Sequence, residues 1–382
     1  MRRRVGMTLA ALLLLCTACG KAPVTTTDTP VATDAATTTT TTITAAPTTT
    51  TTRAPEDEGL VFELPLRGAT GFISVATALY SDSTRTARVA TLTAGDAFTI
   101  LEAKEGATWH IRTEAGVEGY VENTTCYLNI ADVVPSVVLD NTNSYASAFL
   151  SSGKVLPNIT GEQLYDAKEY NPRLDREEFL VACNWQTVKK IYVAQQAALA
   201  AGYTLVINEA FRPNDVQQTI ATTLKALYDA DPEVKAGIDT SPWNISWFIA
   251  SRPSTHQMGC AIDTSLARVD TTETRLCGSY RYTAVTAYTP CAMPTPIHEL
   301  SAAAVSLAKP VNSYSLTAWK EIAPAKTMTA DALLLKAFCT EAGLSPLASE
   351  WWHFNDLPTK EAVGERYTTE PFYLDTCLSE LP

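Results

Sequence analysis

Four histidines are spread along the 382 residues, few enough to weigh one by one. His256 stands in Ser254-Thr255-His256-Gln257-Met258-Gly259-Cys260-Ala261-Ile262-Asp263, and His353 in Glu350-Trp351-Trp352-His353-Phe354. Two imidazoles and a carboxylate form a legitimate ligand set for catalytic zinc, which takes three protein ligands and keeps a fourth position for water. Each ligand atom must lie ~2 Å from the ion. On a fully extended chain His256 and Asp263 would stand roughly 23–25 Å apart. The segment must therefore turn back, and Gly259 is the natural place for that turn. A short strand through Ala261 then presents Asp263. A zinc site also needs a general base beside the ion but not bound to it. Glu350, three residues before His353, can serve if the chain curls locally. In a flat strand the two side chains would point to opposite faces, so a bulge or turn is expected there. Taken singly, each of these residues has an ordinary structural use; the argument rests on their order and spacing together.

The elements that must position these groups are legible in outline. Gln186 to Ala201 has helical periodicity and stops at Gly202, Tyr203 to Ile207 is a buried-strand run, and Asn214 to Tyr228 is again helical, just after Phe211-Arg212-Pro213. Cys260 to Leu266 is a strand candidate. Ala330 to Ala342 is helical, with Thr329 as N-cap and Gly343 as stop. Helices and strands without strict βαβ alternation indicate an α+β fold.

The pattern over residues 66–130 is different. Short alternating runs at Ser74–Tyr80, Arg88–Leu92, Ala97–Leu101, Thr108–Arg112 and Glu118–Val121 are separated by turn residues, which suits a small β barrel. Trp109 and Tyr120 are expected in its core and His110 on a surface strand. The order resembles a bacterial SH3-like (SH3b) domain. That resemblance implies either a contact to cell-wall peptides or a rigid spacer.

Ser-x-His-x-x-Gly-x-Ala-x-Asp, with Glu-Trp-Trp-His downstream and Phe211-Arg212-Pro213 upstream, resembles the VanX-type D-alanyl-D-alanine dipeptidases of the M15 metallopeptidase family. The match runs from about Glu177 to Phe354. It implies a hedgehog-like α+β sandwich behind the barrel and one zinc ion held by His256, Asp263 and His353. It further implies Glu350 as the base, Arg212 stabilising the tetrahedral oxyanion, and Ser254 holding the substrate's terminal carboxylate. A fixed guanidinium suits charge that develops only in the transition state. The implied activity is hydrolysis of D-Ala-D-Ala. A D,D-carboxypeptidase trimming the wall stem peptide is the alternative, and a wall-binding lipoprotein with an inactive peptidase domain a second. Trp351 and Trp352 are expected to pack around the site, and His298 is not expected to bind zinc. The chain departs from the family in the stretch Met293-Pro294-Thr295-Pro296-Ile297-His298-Glu299, where the family's Phe-Asp has become Ile297-His298 and only Glu299 offers a nearby acid. The interval from Asp263 to Glu350 is also long.

The remaining sequence concerns address and compartment. Arg2-Arg3-Arg4, an apolar run from Met7 to Leu15 and Cys16-Thr17-Ala18-Cys19 read as a secretory signal. The end of that segment resembles a lipobox, which implies lipidation of Cys19 and a membrane anchor. From Thr25 to Ala54, 17 of 30 residues are Thr, a composition that buries nothing and reads as a tether. The expected organisation is signal 1–19, tether 20–59, barrel 60–131 and peptidase domain 132–382. Nine cysteines are present, and an exported chain can form disulfides. Cys277 and Cys291, in a loop-like stretch, are the best candidate pair. A net charge of −12 excludes the basic face that nucleic-acid binding needs.

Overall fold

The turn chemistry of the first part builds an antiparallel sheet. A computed structural model describes residues 62–103, 106–141, 148–149, 154–155, 168–250 and 253–382. The signal, Cys19 and the whole Thr-rich stretch lie outside the described residues. Seven strands follow one another: β1 (Thr70–Ile73), β2 (Thr77–Tyr80), β3 (Arg88–Leu92), β4 (Ala97–Glu102), β5 (Thr108–Thr113), β6 (Glu118–Glu122) and β7 (Cys126–Asn129). Apolar residues alternate inward along them, as in Trp109 and Ile111 of β5. Trp109 is fully buried, as expected of a core residue. Tyr120 is not: it is half-buried and stacks on His110, ring centroids 4.7 Å apart. It sits on the opposite face of β6 from Val121, where the pleat turns it outward.

The second part is α+β. Its strands are β8 (Val138–Leu139), β9 (Ala148–Phe149), β10 (Lys154–Val155), β11 (Lys168–Asn171), β12 (Arg176–Phe179), β13 (Ala182–Asn184), β14 (Tyr203–Glu209), β15 (Ala261–Cys277), β16 (Tyr280–Pro290), β17 (Ser345–Pro346) and β18 (His353–Asn355). Its helices are α1 (Trp185–Ala200), α2 (Asn214–Ala230), α3 (Pro232–Ile238), α4 (Ala330–Glu341) and α5 (Leu357–Val363). The central sheet runs β17-β18-β15-β14-β8, with β16 on the outer part of β15. All its pairs are antiparallel except β14 with β8. Thr329 caps α4 by accepting from the Ala332 amide, and Asn184 caps α1 in the same way through Gln186.

The stretch around Cys277 and Cys291 is a long hairpin rather than a loop. Cys277 lies opposite Tyr280 at its tip, while the Cys291 amide donates to Leu266 at its base. At about 3.3 Å per residue the two cysteines stand roughly 30 Å apart, far beyond the ~7 Å reach of a disulfide. That pairing is therefore corrected, and the seven described cysteines are all free thiols.

The barrel and the α+β part share backbone and core. β13 pairs with β7, adding an eighth strand to the first sheet from beyond residue 131. Trp185 of α1 meets Trp109 edge-on, centroids 6.1 Å apart. The last residues return across the barrel. Ser379 Oγ bonds Thr70 Oγ1 at 2.7 Å and donates to Asp132 at 2.6 Å, Thr99 donates to Leu378 O, and Phe372 stacks on Phe211 with centroids 4.6 Å apart. One apolar cluster includes Trp109 and Ile111 of the barrel together with Val188, Ile207 and Phe354.

A buried acid sits at the same join. Burial pushes the Glu63 carboxyl up to about 7 from its ordinary 4.5, against hydrogen bonds from Ser136 and Gln196 that act the other way. A carboxyl raised by folding contributes its stability fully below the unfolded value of 4.5, and that contribution is lost as the pH rises through about 7. At about 1.4 kcal/mol per unit, wild type should lose about 2–3 kcal/mol between pH 5 and pH 8 that Glu63→Gln keeps. Denaturant unfolding at both pH values checks this; equal losses in the two proteins would remove the assignment.

Candidate metal centre

The turn at Gly259 builds half of the site. Its φ is +63°, in the left-handed region where a side chain is strained. A Cβ there would come within 2.6 Å of the Tyr127 ring and 2.7 Å of the Asn184 amide nitrogen. The Tyr127 hydroxyl donates to Gln257 O, so a barrel strand braces the loop that carries His256. After the turn, β15 begins and presents Asp263, opposite His353 on β18. Directly opposed residues in a ladder face the same side, which brings the two together.

Three ligand atoms converge. His256 Nε2 lies 3.1 Å from His353 Nδ1 and 3.3 Å from Asp263 Oδ1, and His353 Nδ1 lies 3.0 Å from Asp263 Oδ1. A tetrahedral ion at ~2.0–2.1 Å from each would set these edges at about 3.3 Å. The outer nitrogens fix the tautomers. His256 Nδ1 donates to Ala210 O at 2.7 Å, and His353 Nε2 to Asn355 Oδ1 at 3.0 Å. Each ring thereby aims a lone pair inward, the outer-shell arrangement that metal-binding histidines use. All three ligands are buried. Burial holds the His256 imidazole below its usual range, so it is neutral as a ligand must be. Burial also opposes charge on Asp263, but its interaction with the adjoining His256 and the hydrogen bonds around it outweigh that and keep the carboxyl well below the ordinary value. These groups fit a divalent metal.

A second acidic layer lies behind the first. Arg212 grips Glu209 with Nε and Nη2, donates from Nη1 to Gln217 Oε1 at 2.6 Å, and from Nη2 to Asp263 Oδ2 at 3.0 Å. His298 Nε2 is 3.3 Å from Asp263 Oδ2 and 3.7 Å from Glu209 Oε2. Glu209, Asp263 and His298 also satisfy the spacing of a metal-binding trio. There the Arg212 guanidinium already supplies the positive charge between the two carboxylates. Glu350 stands between a turn at Ala348 and Ser349 and a bend at Trp351 and Trp352 that leads into β18, so the chain curls between it and His353, with Oε2 3.7 Å from His353 Nδ1. Burial pushes its carboxyl up to about 7, the range suited to a base working near neutral pH. Glu350, Arg212, Asp263, His298 and Glu209 share a small cavity with Phe248, Leu300 and Trp352.

His256, Asp263, His353, Glu350 and Arg212 are thus brought together. Ser254 is not among the residues lining that cavity; its Oγ is buried without a hydrogen-bond partner, while its amide donates to Gln257 Oε1 at 2.8 Å. Glu299, the acid that the sequence offered near the site, is also absent from the lining. It is fully buried and accepts from Ser301 Oγ at 2.7 Å. His298 faces the cavity instead. Sequence reasoning missed Glu209 and the contact of His298 with Asp263. An acid closing the apolar run Leu205-Val206-Ile207-Asn208-Glu209 was the available signal for the first. Trp351 and Trp352 are buried, meet edge-on at 5.4 Å and pack the site as expected. Compared with protein-family models and with curated proteins, the chain matches none, so its chemistry is argued from this cluster.

Proposed function

We propose that the protein is a zinc-dependent peptidase that hydrolyses D-alanyl-D-alanine in cell-wall peptide metabolism, on an M15-like α+β core behind an SH3-like barrel. The observation that carries this reading is the triangle of His256 Nε2, Asp263 Oδ1 and His353 Nδ1, with edges of 3.0–3.3 Å and Glu350 just outside it. When bound, zinc would polarise the scissile carbonyl and make water a nucleophile near pH 7. Glu350 Oε2 takes the proton from the attacking water and passes it to the leaving amine. Arg212 holds Asp263 in place and puts positive charge at the cavity wall, where the carbonyl oxygen gains negative charge. In this reading the chain is exported, anchored by a lipid on Cys19, and touches peptidoglycan through the barrel.

A second reading, a D,D-carboxypeptidase acting on the stem peptide, has one observation in its favour. A groove of about 410 Å³ is lined by Ser265, Tyr288, Met293, Pro296 and Trp351. Ser265 is two residues from Asp263 on β15, and so on the same face of the sheet. In this second reading the groove takes the part of the stem peptide beyond the terminal dipeptide.

Metal analysis of the 60–382 protein should find one zinc per chain. Assayed with free D-Ala-D-Ala and with a stem pentapeptide, the zinc-loaded protein should release alanine from the dipeptide. Release from the pentapeptide alone would select the second reading, and chelator-stripped protein of equal activity would defeat both.

A further inference from the structure

His298 is held in place by more than packing demands. It is one of three non-glycine residues with positive φ among the described residues, at +63°, and the others, Arg85 and Asp175, are exposed. An ordinary side chain in that region carries roughly 1 kcal/mol of strain. Pro294 and Pro296 stiffen the approach, and Trp351 Nε1 pins Thr295 Oγ1 at 2.9 Å. Trp352 meets the imidazole edge-on, centroids 5.9 Å apart at 88°. The ring that results is buried, with Nε2 toward Asp263 Oδ2 at 3.3 Å and Glu209 Oε2 at 3.7 Å. A carboxylate oxygen only accepts, so Nε2 carries the proton of that bond in either charge state of the ring.

We infer that His298 is a positioning residue for the metal: with Arg212 it holds Asp263 Oδ2 away from the ligand triangle, so that Asp263 binds through Oδ1 alone. A carboxylate free on both oxygens can swing to bind through both and fill the position needed for water. Two donors from opposite partners, Arg212 Nη2 at 3.0 Å and His298 Nε2 at 3.3 Å, prevent that swing. The inference rests on the metal reading above.

The test compares two substitutions in the 60–382 protein. His298→Gln keeps a donor near the Nε2 position; His298→Phe keeps a ring against Trp352 but removes the donor, and His298→Leu makes the same comparison if the phenyl ring does not fit. Zinc dissociation constants are read by competition with a chromogenic chelator. Loss of an outer partner usually costs 10–100-fold in metal affinity. That loss is expected for His298→Phe, with His298→Gln within about threefold of wild type. With cobalt(II) in place of zinc, wild type should show the intense visible bands of four-coordinate cobalt. His298→Phe should show the weaker bands of a higher coordination number as Asp263 becomes bidentate. Equal zinc affinity and equal cobalt spectra in wild type and His298→Phe would overturn the inference while leaving the metal site intact. Failure of wild type to bind either metal would instead overturn the metal reading, and this inference with it.

Discussion

Glu350→Gln is expected to lower kcat for D-Ala-D-Ala about 10²–10⁴-fold, the usual contribution of a positioned general base, while zinc stays at one per chain. Glutamine keeps the volume and the polar contacts of the side chain but cannot take a proton. In free-energy terms the loss is about 3–5 kcal/mol of barrier. Metal retention follows from geometry: the ligand edges span 3.0–3.3 Å, and Glu350 stands outside them, 3.7 Å from His353 Nδ1. The fall should appear in kcat rather than KM, because the proton moves only in the reacting complex. The paired measurement is steady-state kinetics with metal analysis on the same sample. Wild-type turnover in the variant would remove Glu350 from the mechanism. Loss of zinc along with activity would make it a ligand instead.

The largest stability effect is expected from removing residues 372–382. The segment adds Phe372 to the stack on Phe211, buries Leu374 completely and places Ser379 between Thr70 and Asp132. Truncating a buried Leu usually costs 2–5 kcal/mol, and half-buried Phe372 adds part of the 3–5 kcal/mol of a fully buried Phe. Their sum is comparable with the entire ~5–15 kcal/mol by which a domain is stable. Deletion should therefore leave little folded protein at 37 °C, read by circular dichroism and by loss of zinc binding. Phe372→Ala alone should remain folded with a clearly lower melting temperature. A deletion variant that melts within a few degrees of the intact protein would show the segment to be dispensable.

These contacts mark the limit of what the sequence disclosed. Local signals were legible: α1 ends before Gly202, Thr329 caps α4, Gly259 makes its turn, and the chain bends between Glu350 and His353. Each depends on backbone chemistry within a few residues. The Asp263 and His353 partnership could be read because both metal motifs carry their own spacing. What the sequence hid is non-local. β1, β7 and β13 are three- and four-residue strands whose pairing is decided by the sheet they join. The hairpin of β15 and β16 looked like a loop because its outer half is exposed on both faces and lacks clean alternation. Glu209 and His298 lie 89 positions apart by sequence number, and only tertiary packing brings them within 3.7 Å of each other beside Asp263.

The brace between Tyr127 and the His256 loop bears on whether the two parts can be separated. A small sheet joined to a larger fold can look like an interchangeable cassette. Here a cassette swap would take away the phenol under Gln257 and the ring against which Gly259 turns, and the imidazole that follows from that turn would lose its footing. The two parts of this molecule are therefore expected to work only together, since exchanging the first would unseat the histidine that the second supplies.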